Sequence, residues 1–186
     1  MSKKIALVTG ATGGIGFQVA KRLGEDGYTV VLNGIEDDKG AERVEELAAL
    51  GIEAEYYGFD VTNDEAVTEN VKAIGEKYGQ IDAVINNAGG LGGRSPMEEM
   101  TTEFYRSVMA LNLDSAFFVS RAAIPYLKKT TGGSIVNYTS NAAWNAGGPG
   151  AGIYGVSKAA VNTLTRALAK ELAPAGIRVN AVSPGT

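Results

Sequence analysis

Cysteine and histidine are both absent from this chain of 186 residues. Without cysteine there is no disulfide framework, no thiolate nucleophile and no cysteine-held zinc. Without histidine, Ser-His-Asp hydrolysis, imidazole general-base catalysis and histidine-ligated metals fall away together. Acid–base chemistry near neutral pH must then come from a tuned Tyr, Lys, Asp or Glu, and no metal site is expected. Runs of basic charge are missing as well: 17 Lys and Arg against 21 Asp and Glu leave a net charge of −4, with a pI of about 5.0. Such a chain is a poor partner for nucleic acid or an anionic membrane surface. No apolar stretch approaches a membrane span. Lys3-Lys4 before Ile5-Ala6-Leu7-Val8 imitates a signal peptide only until Thr9-Gly10 cuts the apolar segment short. A cytoplasmic protein is the expectation.

What is present is an ordinary globular composition, 45% hydrophobic and 20% charged, enough for one substantial core. The 25 glycines cluster at 10–16, 89–93 and 147–155 instead of repeating with a period, which favours tight functional loops over low complexity. Short apolar runs at 4–9, 28–32, 53–59, 81–85, 134–139 and 177–182 read as strands. Between them, residues 15–26, 39–50, 63–78, 102–129 and 152–173 carry helical spacing, with Gly51, Gly79 and Pro174 as stops. Pro125 predicts a bend or register change within 102–129. Strands alternating with helices imply right-handed crossovers and a parallel sheet covered on both faces. No linker or internal repeat breaks the chain, so one domain over 1–186 is expected.

Tyr154 and Lys158 stand four residues apart at the start of the 152–173 helix, one above the other on the same face. An ammonium beside a phenol favours the phenolate. A tyrosine so placed can give a proton to a carbonyl oxygen or take one from an alcohol. Ser140, fourteen positions before Tyr154, lies where a strand ends, and its hydroxyl can reach the same substrate oxygen. Strand one runs into Thr9-Gly10-Ala11-Thr12-Gly13-Gly14-Ile15-Gly16 and then a helix. That junction lets backbone approach a pyrophosphate at a helix N-terminus. Asp60-Val61 closes strand three and Asn86-Asn87-Ala88-Gly89 closes strand four. All these segments follow the C-terminal ends of strands, where open α/β sheets bind ligands.

Together these segments resemble the short-chain dehydrogenase/reductase family, in the compact branch of 3-oxoacyl-carrier-protein reductases and sugar or alcohol dehydrogenases. The resemblance rests on residues 9–16, Asp60-Val61, Asn86 to Gly89, Asn112 in Leu-Asn-Leu-Asp-Ser, Ser140, Tyr154-Gly-Val-Ser-Lys158 and Arg178 to Gly185. They occur in the family's order along essentially the whole chain. The resemblance implies an α/β, doubly wound Rossmann-type parallel sheet and hydride transfer between a nicotinamide and a small carbonyl or secondary alcohol. Tyr154 would be the general acid/base. Lys158 would favour its phenolate and bond the nicotinamide ribose, Ser140 would orient the substrate oxygen, and Asn112 would hold a water behind Lys158. From its residue type alone, Asn112 reads equally as a local kink or a buried hydrogen-bond partner. Gly10, Gly14, Ile15 and Gly16 would cradle the pyrophosphate, with Asp60 and Val61 flanking adenine. Asn87, Ala88 and Gly89 would line the cofactor cleft, and Pro184-Gly185 would face the nicotinamide.

The sequence departs from the family pattern in three places. The separation of Ser140 from Tyr154 is slightly long, with the extra residue placed in 145–152; a slipped alignment would put Thr139 or Asn141 in the place of Ser140, and the strand register favours Ser140. After strand two, NAD-specific relatives often carry Asp where Gly34 stands, whereas NADP-specific ones carry a base there or at Gly13. Here Glu36, Asp37 and Asp38 lie where a 2′-phosphate would approach, with Lys39 the nearest base in sequence, so NAD(H) is favoured over NADP(H), with Glu36 a ribose ligand. Finally, relatives continue past the Pro-Gly motif into a substrate-covering loop, a helix and a seventh strand. The domain is therefore expected to be C-terminally incomplete, lacking its last strand and helix. The substrates implied are a keto sugar, a sugar acid or a 3-oxoacyl thioester, and the family's habit implies a homodimer or homotetramer. The alternative functions are a cofactor-binding regulatory or scaffold module without turnover, and an epimerase or dehydratase of the extended branch.

Overall fold

In the computed structural model, which describes residues 3–185, each apolar run becomes a strand and each periodic stretch a helix. Met1, Ser2 and Thr186, the ends of the expected domain, lie outside those residues. The strands are β1 (Lys4–Val8), β2 (Tyr28–Gly34), β3 (Ala54–Gly58), β4 (Ala83–Asn86), β5 (Ser134–Tyr138) and β6 (Arg178–Val182). The helices are α1 (Gly14–Glu25), α2 (Asp37–Ala49), α3 (Asp64–Tyr78), α4 (Thr102–Met109), α5 (Ser115–Leu127), α6 (Ala142–Asn145) and α7 (Gly152–Leu172). All strand pairings are parallel, in the order β3-β2-β1-β4-β5-β6. The chain therefore steps outward from β1 to β3, returns across β1 to start β4, and steps outward again. The loops after β1 and β4 part in opposite directions, which opens a crevice at their C-terminal ends.

Period-two alternation along the strands builds two apolar layers. Ile5, Leu7, Val31, Val84 and Ile135 face α3, α5 and α7, meeting Val71, Val119 and Leu168. Ala6, Val8, Val30, Leu32 and Ile85 face α1 and α2, meeting Phe17, Ala20 and Leu47. Asn63 accepts from the Ala66 N–H to start α3, and Gly79 ends it in the left-handed conformation.

A buried polar string fixes the rotation of α7. Asn86 Nδ2 donates to Asn137 Oδ1 at 2.8 Å, Asn137 Nδ2 donates to Thr165 Oγ1 at 2.9 Å, and Thr165 Oγ1 donates to the Val161 carbonyl at 2.8 Å. Stranding any of these groups would cost about 1–3 kcal/mol, so α7 cannot roll on the sheet without loss. Lys158 lies seven residues before Thr165, on the same helical face, and is directed toward the sheet with it.

The stretch 102–129 differs from expectation in where it breaks. Pro125 sits within the last turn of α5 and does not divide it. The break is a π-helical turn at Ala110–Asp114. Its cause is Asn112: the side-chain Nδ2 bonds the Val108 carbonyl one turn back and also the Gly90 carbonyl, both at 2.9 Å. A side chain competing for a helix's own carbonyl loosens the turn. The short α6 was not foreseen; four residues are too few to show a period.

Candidate active site

The crevice is stitched shut at its base by the residues that end β1 and β4. Thr9 Oγ1 accepts from the N–H groups of Asn87 and Ala88 at 3.1 and 3.0 Å. Asn87 Nδ2 returns the contact, donating to the carbonyls of Thr9 and Gly10 at 3.0 and 3.1 Å. This packing leaves no room at Gly16, where a Cβ would lie 2.5 Å from Asn87 Nδ2 and closer still to the Gly10 carbonyl oxygen. Gly10 and Gly14 hold positive φ of 61° and 55°, which a side chain would resist. Nothing lies within 4 Å of a Cβ built on Gly13 or Gly14, and no side chain caps the first turn of α1. The N–H groups at this helix start therefore face open space, as an anion site requires.

Three connected compartments follow the strand ends. The first, about 270 Å³, is lined by Gly10, Thr12, Gly34, Asp60, Val61 and Ala88 among others. The middle one, about 350 Å³, shares Gly10, Asn87 and Gly89 with it and adds Ile15, Ser140, Tyr154, Lys158 and Pro184. The outer one, about 530 Å³, shares Ser140, Tyr154 and Pro184 and adds Arg94, Asn141 and Gly185. A flat molecule lying along this cleft would pass from the strand-three end to the Tyr154 hydroxyl.

Lys158 is 3% exposed, and its Nζ donates to the Tyr138 carbonyl at 2.8 Å. It lies 5.9 Å from the centroid of the Tyr154 ring. Burial, with no carboxylate neighbour contributing, pushes the lysine down to about 8. Tyr154 is half-buried in the first turn of α7, where the helix end adds positive potential. Ser140 Oγ accepts from the Ala142 N–H at 3.1 Å at the start of α6, which leaves its own proton free to donate. Of the two alternatives to it, Thr139 donates its hydroxyl to the Val182 carbonyl at 3.2 Å. Asn141 lines only the outer compartment, without Lys158.

Asn112 is buried behind the cleft wall and lines none of its compartments. Its Oδ1 accepts from the Gly90 N–H at 3.0 Å. Asn112 Oδ1 and Lys158 Nζ lie 2.8 and 2.9 Å from where a Gly89 Cβ would be; only glycine fits between them. Asn112 is thus both the kink and the buried hydrogen-bond partner.

Two predicted cofactor residues are already engaged. Asp60 Oδ1 accepts from the Thr62 N–H and hydroxyl, both at 2.8 Å, while the residue still lines the first compartment. Glu36 lies outside that lining; it precedes α2 and pairs with Lys39 at 2.7 Å. Arg43, which the sequence did not single out, stands closer to the cleft than its number suggests. Its Nε donates to the Thr12 carbonyl at 3.2 Å, its guanidinium lies over the Phe17 ring, and Glu46 pairs with it. Its signal in the sequence was only its place one turn beyond Lys39. Thr12 also explains Gly34: a Cβ there would sit 2.5 Å from the threonine methyl. Arg94 was hidden inside a loop read only for its glycines.

The family model described as short chain dehydrogenase matches residues 4–186. The chain belongs to the short-chain dehydrogenase family. Among curated relatives, a 3beta-hydroxysteroid dehydrogenase of Mediterraneibacter gnavus is 41% identical over 182 residues, which are 98% of this chain and 65% of that one. A 3-oxoacyl-[acyl-carrier-protein] reductase of Thermotoga maritima is 37% identical over 98% of this chain and 73% of its own. This short-chain dehydrogenase thus spans about two thirds to three quarters of these relatives' lengths. Among solved structures, an NADH-dependent reductase responsible for alginate metabolism, complexed with NAD, superposes with a TM-score of 0.95 at 37% identity, covering 100% of this chain and 79% of that one. An NAD+-bound xylitol dehydrogenase gives 0.92 at 37% identity, with 98% and 70% covered. No helix among the described residues is long and apolar enough to cross a membrane.

Proposed function

We propose that this short-chain dehydrogenase catalyses reversible reduction of a small carbonyl compound with a nicotinamide cofactor. The observation that carries this reading is the shared wall: Ser140 and Tyr154 belong both to the compartment holding Lys158 and the glycine loop and to the outer one. The residues fit the cofactor. Its pyrophosphate would meet the open backbone at Gly13 and Gly14, and its adenosine would lie against Asp60 and Val61. When bound, the nicotinamide supplies or accepts a hydride. The chain's own residues handle the proton. Ser140 donates a hydrogen bond to the substrate oxygen, and Tyr154 gives that oxygen a proton in reduction or removes it in oxidation. Lys158 and the α7 terminus stabilise the tyrosinate left behind, and Asn112 positions Gly89 and Gly90 behind the lysine.

NAD(H) is the cofactor we infer. Glu36, Asp37 and Asp38 put three carboxylates just beyond β2, and the bases nearby are spoken for, Lys39 by Glu36 and Arg43 by Glu46. A 2′-phosphate would meet like charge there. The NADH-dependent reductase among the structural relatives supports this choice.

The test is a titration of NADH and NADPH followed by nicotinamide fluorescence, with turnover of carbonyl substrates measured beside it. Tighter NADH binding is expected, and Tyr154→Phe should keep that binding while losing turnover by about 10²-fold or more. Equal turnover by the phenylalanine variant would refute the role given to Tyr154. Cofactor binding without turnover of any carbonyl by the unaltered protein would favour the binding-module reading.

A further inference from the structure

Among the described residues the outer compartment has a single charged one in its lining, Arg94. We propose that Arg94 is a specificity-determining residue that receives a carboxylate, so that the substrates are small oxo and hydroxy acids. This rests on the carbonyl-reductase reading above and narrows it.

The arginine is built in from both sides. Its Nη1 donates to the Pro149 carbonyl at 2.8 Å, and the next residue's N–H, that of Ser95, donates to the Gly150 carbonyl at 3.0 Å. Glycines 148 and 150 make the approach possible. A Cβ at Gly148 would come within 3.3 Å of Nη1, and one at Gly150 within 3.0 Å of the Arg94 Cβ. The loop after β4 and the loop before α7 are thus locked together through this residue.

Arg94 is exposed, and beyond that one bond its guanidinium is left to water. Arginine carries five N–H donors in a planar fork, and among the described residues no carboxylate pairs with Arg94. Arg22, Arg43 and Arg121 have their anions on the protein; among the described residues Arg106, Arg166 and Arg178 pair with none either, but of the four only Arg94 lines the cleft. The fork matches a carboxylate bidentately. A neutral, apolar substrate filling the same space would strip water from the cation and return nothing. The amide of Asn141 lines the same compartment and is neutral. At about 530 Å³ the space suits a small molecule.

Two roles must be separated, charge recognition and the strut to Pro149. Arg94→Gln removes the charge and keeps an N–H donor for the Pro149 carbonyl; Arg94→Lys keeps the charge without the fork. The measurement is NADH consumption with 2- and 3-oxo acids of about four to six carbons and the methyl ester of each. The unaltered protein should prefer the acids. Arg94→Gln should lower kcat/KM for the acids about 10–100-fold, mainly through KM, and leave the esters within about threefold. NADH affinity should not change, and Arg94→Lys should recover part of the loss. Preference for the esters, or an equal loss on acid and ester in Arg94→Gln, overturns the proposal while leaving the reductase reading intact. Failure to reduce any carbonyl sinks that reading instead. Arg94 is then judged by titrating the same acids into the protein–NADH complex: binding lost in Arg94→Gln upholds it, and binding that is absent or unaltered in the variant overturns it.

Discussion

Lys158 holds its charge almost wholly out of water, and no carboxylate answers it, so its protonation is linked to folding. In the native state burial pushes it down to about 8 from an ordinary 10.5. Between those values the native state holds fewer protons than the unfolded chain, and stability rises with pH; below about 8 both states are protonated and the curve is flat. The full gain is about 3.5 kcal/mol, at about 1.4 kcal/mol per unit. Urea unfolding of the cofactor-free protein at pH 7.5 and pH 10 should show that rise, and Lys158→Met should remove most of it. An unchanged difference in the methionine variant would place the pH dependence elsewhere. At this scale the site was largely readable in advance. Tyr154, Lys158 and Ser140 lie close in sequence, and helical geometry alone brings the first two together. The ion pairs of Glu36 and Arg43 were not foreseen. Their charges are neutralised by Lys39 and by Glu46, and the reach of Arg43 back to Thr12 depends on how α2 lies on the sheet.

Between α6 and α7 the chain turns through Ala146 and Gly147. Ala146 is the one non-glycine among the described residues with a positive φ, 62°, and it ends α6 in the left-handed region. An L-residue pays about 1–2 kcal/mol for that conformation. Gly147 N–H donates to Asn145 Oδ1 at 2.9 Å and helps hold the turn. Across the turn Gly155 lets the helices touch, since a Cβ there would lie 2.8 Å from the Ala142 carbonyl oxygen. Ala146→Gly should therefore stabilise the fold by about 0.5–1 kcal/mol, the glycine's extra freedom when unfolded offsetting part of the relief. The check is the midpoint of urea unfolding; a lower midpoint would mean that the methyl group's packing outweighs its strain. Periodicity named the long helices but had nothing to say about α6, which begins where the Ser140 hydroxyl accepts the Ala142 N–H and stops at the left-handed Ala146. The same limit moved the break in the 102–129 stretch: Pro125 is the stronger breaker by rule, yet the hydrogen bonds of Asn112 to a loop 22 residues earlier decide the matter.

Across the whole molecule the cleft borders the ends of all six strands described, from the β3 end at Asp60 to the segment after β6 at Pro184. A ligand lying in it contacts both halves of the sheet, so its binding free energy counts against global unfolding. NADH at about 100 times its dissociation constant should add about 2.7 kcal/mol, or about 5–10 °C in Tm for a chain of this size. NADPH at the same concentration should add less. A shift equal for both cofactors would contradict the reading of the acids beyond β2. The parallel, doubly wound sheet was implied by strand–helix alternation together with the family resemblance; the order of its strands comes from the structure.

The π-helical turn at Ala110–Asp114 bears on this architecture too. An α-helix advances about 100° per residue, and a π turn takes in one residue more than its neighbours. The 102–127 rod therefore changes phase at its middle. Its first half, α4, packs on α7, and its second half, α5, packs on α3 and on β4. One continuous rod thus serves neighbours in two directions without a loop. The joint that re-aims it is held by Asn112, the same side chain that backs the wall of the cleft at Gly89 and Gly90.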